Sequence, residues 1–80
     1  MEINQALVFL RIVLQNYITN GSREFEHLPK IEVLKLAINY IALLRAQSQG
    51  QEFTSDEEIL MLSVNLKNST IKMLARVLRH

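Results

Sequence analysis

Apolar residues along this chain recur at steps of three and four in three stretches, the spacing that gathers side chains on one face of a helix of 3.6 residues per turn. In the first stretch Ile3, Ala6, Leu7, Leu10, Leu14 and Tyr17 predict an amphipathic helix over residues 2–19. Asn20-Gly21 then offers residues that tolerate the left-handed conformation used to end helices. In the second stretch Leu34, Ala37, Ile41 and Leu44 stack into one seam, with Val33, Leu36, Tyr40 and Leu43 in a row beside it. The two rows make a face too wide for a surface helix of a small monomer to hide, so an interface with other helices is expected. In the third, Ile59, Leu62, Leu66, Met73 and Val77 keep one phase if Thr70 fills the intervening turn. That favours one continuous or slightly kinked helix of about 23 residues. Asn68-Ser69-Thr70, a run of weak helix formers, argues for a break instead.

Local punctuation sets the boundaries. Ser22–Leu28, reading SREFEHL, is charged and without period, and reads as a connecting loop. Pro29 suits the first turn of the second helix, where a missing N–H costs nothing. Ser48-Gln49-Gly50-Gln51 breaks that helix, with Gly50 as its C-terminal cap. Ser55 followed at the third position by Glu58 has the form of a capping box, starting a third helix near Asp56. The chain thus divides into a helical hairpin over 1–47, a linker over 48–54 and an amphipathic C-terminal helix over 55–80. Val8, Phe9 and Ile12 leave an apolar patch on the other side of the first helix, and residues 55–80 are expected to fold back over it, the alternative being an independent partner-binding helix.

Composition narrows the function. Eighty residues, 49% of them hydrophobic, support one small core that metal, disulfides or oligomerisation commonly supplement. There is no cysteine, and His27 and His80 stand alone, so no metal or cofactor is expected and oligomerisation is left. A formal charge of +1 does not announce a nucleic-acid or membrane-surface binder. Glu52, Asp56, Glu57 and Glu58 precede Lys67, Lys72, Arg76 and Arg79, the order a helix dipole favours. No apolar run reaches the roughly 18 residues of a membrane span, and Glu2 stands where a signal peptide wants positive charge, so an intracellular protein is expected. Catalysis finds no foothold: Ser55, Ser63 and Ser69 lack a histidine and acid at recognisable spacing, and no glycine-rich phosphate loop is present. The chain reads as a non-enzyme without a small-molecule ligand.

The first 47 residues resemble the helix-loop-helix half of a basic helix-loop-helix transcription factor, of the tissue-restricted class that pairs with E-proteins. The family's first helix carries a pattern close to Leu-Asn-x-Ala-Phe-x-x-Leu-Arg-x-x-Ile-Pro. Here it stands as Ile3, Asn4, Gln5, Ala6, Leu7, Val8, Phe9, Leu10, Arg11, Ile12, Val13, Leu14 and Gln15. The second helix of the family opens Lys-Leu-Ser-Lys-Ile-Glu and continues Leu-x-x-Ala-x-x-Tyr-Ile, matched by His27, Leu28, Pro29, Lys30, Ile31, Glu32, Leu34, Ala37, Tyr40 and Ile41.

The resemblance implies an all-α fold in which two helix-loop-helix hairpins pair as a parallel four-helix bundle, with the C-terminal helix added outside it. Leu7, Leu10, Leu14, Leu34, Ala37, Tyr40, Ile41 and Leu44 are the implied dimer interface. The alternative for these residues is the interior of a monomeric three-helix bundle. The partner implied is a second copy or another helix-loop-helix protein, and the location is the nucleus. The family reads DNA with a basic extension before its first helix, and here no basic residue precedes Arg11. DNA binding is therefore conditional on such a segment in a longer chain or in the partner. Lys30 matches a family lysine that touches DNA phosphate, a contact that positions but adds little affinity. Gln15 replaces the family's proline, so the first helix should run on, and Pro29 replaces the serine before the second. A module lacking DNA contact, either an inhibitor of such factors or a helical adaptor, is the second reading.

Overall fold

The computed structural model describes residues 3–19 and 23–78, with side chains for all of these except 3, 4, 7, 19, 23 and 24. Among the described residues every regular element is helical, in agreement with the all-α expectation. The elements are α1 (Ile3–Thr19), a 3₁₀ turn (Arg23–His27), α2 (Lys30–Ser48), α3 (Ser55–Leu62) and α4 (Asn68–Leu78). α2 lies at the centre, packed on α1 and on α3, and α4 closes against α3 and α1. The core is one cluster drawn from every element: Leu14, Phe25, Leu28, Val33, Leu36, Leu43, Leu62, Leu66, Met73 and Leu74.

α1 runs past Gln15 to Thr19, as the absence of proline at that position allows. The helix end expected at Asn20-Gly21 lies outside the described residues. The segment read as a plain loop carries a fully buried Phe25. Phe25 and Leu28, three apart, fall on one side of a 3₁₀ turn closed by Leu28 N–H donating to the Phe25 carbonyl at 3.3 Å. That carbonyl also accepts from Arg11 Nη1 at 3.0 Å, which ties the turn back to α1.

α2 starts one residue after Pro29, whose carbonyl accepts from Val33 N–H at 3.1 Å and whose side chain supplies no cap. At its other end Gln51 N–H reaches the Ala46 carbonyl and Gly50 N–H the Gln47 carbonyl, the paired bonds of a Schellman motif. Gly50 takes φ +92° there, a conformation that a side chain would strain. α3 is capped by Thr54 and not by Ser55. The Thr54 hydroxyl accepts from Glu57 N–H at 3.2 Å, and the Glu57 carboxylate accepts from Thr54 N–H at 2.9 Å. The Thr54 N–H, and after it the Thr54 side chain, hold the Glu57 carboxyl below its ordinary pKa.

The single C-terminal helix expected over 55–80 is two helices. α3 stops at Leu62, where Ser63 turns its hydroxyl back onto the Ile59 carbonyl at 2.6 Å. Asn65 then takes φ 65°, a left-handed conformation that asparagine tolerates better than most residues. Leu66 N–H closes the turn on the Ser63 carbonyl. The break falls just before Asn68-Ser69-Thr70, and these weak helix formers make the first turn of α4, where such residues are favoured.

Candidate helical interface

Two polar side chains on α2 hold this turn in place. Asn39 Nδ2 donates to the Leu62 and Val64 carbonyls, each at 2.8 Å, satisfying acceptors left open at the end of α3. Glu32 Oε1 accepts from Lys67 N–H and from Thr70 Oγ1, each at 2.8 Å, and so caps the start of α4 from another helix. The Glu32 side chain is fully buried. Its second oxygen lies 3.9 Å from Lys35 Nζ and makes no hydrogen bond among the described residues. Burial pushes the Glu32 carboxyl upward, but the Lys67 N–H, the Thr70 hydroxyl and the charges of Lys35 and Lys67 outweigh it and leave the group below the ordinary value.

Glu32 and Asn39, seven residues apart, share the inward side of α2 with Val33, Leu36 and Leu43. The row Val33, Leu36, Tyr40 and Leu43 is thus the one that enters the chain's own core. The opposite side of α2 is apolar as well. Ile31, Leu34, Ile38 and Ile41, spaced three, four and three, form an outward stripe on which each is between 41% and 66% exposed. Leu44 borders it at 44%, and Ile38, Ile41, Ala42 and Arg45 line a shallow groove along it. α2 is thus apolar on both sides, and the chain's own core takes only the inward one.

The residues expected at a dimer seam fall into two sets. Leu34, Ile41 and Leu44 lie exposed on the outward side. Leu14 is buried in the core, with Leu10, Ala37 and Tyr40 half-buried against it. The Leu7 side chain lies outside the described residues. Lys30 is exposed at the start of α2. Ile31 and Ile38 were missed; the heptad spacing 31, 34, 38, 41 was the signal that could have found them.

The expectation that residues 55–80 cover Val8, Phe9 and Ile12 is overturned, since all three are more than half exposed. α4 meets α1 while Leu14 is buried, and the patch lies on the opposite side of α1 from Leu14. Chemistry beyond packing is sparse. Among the described residues no three His, Cys, Asp or Glu side chains converge as a metal site would require. No helix among them is long and apolar enough to cross a membrane. Compared with known proteins, the chain matches no family model, no curated protein and no solved structure at a significant level.

Proposed function

We propose that this chain is the dimerisation module of a helix-loop-helix transcription regulator, pairing with itself or with an E-protein-like partner to form a parallel four-helix bundle. The observation that carries the reading is the outward stripe of α2. Ile31, Leu34, Ile38 and Ile41 hold a regular seam at coiled-coil spacing that the chain's own α3 and α4 leave exposed. Leu34 and Ile41 belong to the pattern by which residues 1–47 resemble the basic helix-loop-helix family. In this reading DNA is contacted only where a basic segment comes from a longer chain or the partner, Lys30 then sitting against a phosphate, and the site of action is the nucleus.

A second reading, a helical adaptor or an inhibitor of such factors without DNA contact, draws on the Glu32 and Asn39 bonds, which give the chain a closed core independent of any bundle. Sedimentation equilibrium of the purified chain, alone and mixed with an E-protein helix-loop-helix, tests the proposal. Concentration-dependent pairing is expected in at least one of the two. Leu34→Asp and Ile41→Asp should abolish it without changing the helical content of the monomer, because each puts a charge into the seam and neither side chain is buried in the core. A chain that stays monomeric and ignores the partner would refute it.

A further inference from the structure

Among the described residues, α1 is the one helix whose exposed side carries no charge. Lys30 and Arg45 stand exposed on α2, Asp56 and Glu57 on α3, and Lys72 and Arg76 on α4. α1 has a single charged residue, Arg11, and its guanidinium is bound to the Phe25 carbonyl. The side of α1 turned away from Leu14 therefore presents Gln5, Val8, Phe9, Ile12 and Asn16, all exposed and none charged, over about three turns. Loss of charge around an exposed aromatic is the composition of an interface centre and not of a solvated helix face.

Within that side Gln5, Phe9, Ile12 and Asn16 follow at steps of four, three and four, the spacing of a coiled-coil seam, and the buried Leu14 falls opposite it. We propose that this seam is a contact between two copies of the chain, α1 lying antiparallel on α1 of the second copy, on a surface separate from the stripe of α2. The step pattern reads the same in both directions. With a twofold axis crossing between Leu10 and Arg11, Phe9 of each copy meets Ile12 of the other, and Gln5 meets Asn16. The two central layers are then alike, one aromatic against one β-branched side chain. A parallel pair would instead stack phenylalanine on phenylalanine in one layer and isoleucine on isoleucine in the next. At both ends an amide faces an amide, each with donors and an acceptor, so the polar ends of the seam satisfy one another. They also fix the register, since a slip would set an amide against the apolar centre. The antiparallel arrangement opposes the two helix dipoles as well. A partner of different sequence would need no such symmetry, and a charged one would find no counter-charge on this face. Where α2 pairs too, the two surfaces together build assemblies of more than two chains.

The chain has no cysteine, so single introduced thiols report the register directly. Gln5→Cys and Asn16→Cys chains, mixed and treated with a short bis-maleimide, are expected to cross-link to each other, while either alone yields little dimer. Sedimentation equilibrium separates the two surfaces. Ile38→Asp, which disables the α2 stripe, should leave a dimer. Adding Ile12→Asp should raise its dissociation constant at least about tenfold, since the twofold axis puts two charges into one seam. Both side chains are more than half exposed, so helical content should match the wild type in each variant. A monomeric Ile38→Asp chain overturns the inference and, where the wild type still associates, leaves the pairing reading standing. Cross-linking of either cysteine chain alone as readily as the mixture overturns the antiparallel register. Binding of monomeric Ile38→Asp to phosphatidylcholine vesicles, lost on adding Ile12→Asp, would assign the face to a bilayer and overturn it as well.

Discussion

The two sides of α2 are alike in hydrophobic content and opposite in fate. Inward, Val33, Leu36 and Leu43 are buried; outward, Ile31, Leu34, Ile38 and Ile41 remain open. What separates them is Glu32 and Asn39, which reach the exposed backbone at the junction of α3 and α4. Apolar spacing alone says that a face wants cover. A polar side chain with a defined backbone client says which cover it receives, because a buried helix end must have its open groups satisfied.

The comparison breaks most sharply at Leu36. Its side chain is fully buried, so Leu36→Ala should lower stability in chemical denaturation by about 2–5 kcal/mol, the range for truncating a core leucine. Removing the inward acid comes next. Glu32→Ala strands the Lys67 N–H and the buried Thr70 hydroxyl, and a loss of about 1–3 kcal/mol is expected from leaving these donors unpaired.

Acid should act on the same bond. The folded Glu32 carboxyl is held below its ordinary value of 4.5, so its contribution is complete above that pH and is lost as the pH falls through the folded value. Denaturant midpoints measured across that acid range should decline in the wild type. In Glu32→Gln the decline should shrink toward what Glu57, shifted in the same direction, still contributes. The smallest effect belongs to the outward side. Ile38→Ser should leave monomer stability within about 0.5 kcal/mol, as exposed substitutions generally do. A large loss there would mean that the outward stripe is part of the core.

Much of the fold is legible in the sequence because its signals are local. The Schellman turn at Gly50 and the start of α2 at Pro29 each depend on residues within one turn. The capping box falls one residue earlier than expected because Thr54/Glu57 and Ser55/Glu58 both satisfy the same spacing, and only packing chooses between them. Asn68-Ser69-Thr70 hints at the break between α3 and α4, but the form of the turn is not legible, since its stabilising partners lie 23 and 35 residues upstream. Phe25 is hidden among charged neighbours, although its spacing to Leu28 fits a single turn. For the proposed interface, the sequence counts Leu34 and Ile41, which lie exposed on the outward side of α2. It also counts Leu14, Ala37 and Tyr40, which serve the chain's own core, because a helix wrapped in aliphatic residues gives periodicity no preferred side.

The clasp between Glu32 and Lys67 also fixes an order of events during synthesis. The carboxylate leaves the ribosome 35 residues ahead of the amide it will grip, so through that interval the inward side of α2 has α1 to rest on but lacks the helix that completes its cover. A nascent chain halted between residues 48 and 67 would carry the sticky stripe and the unfinished core together. Completion of the last helix thus shuts the inward side of α2 and leaves the outward stripe open.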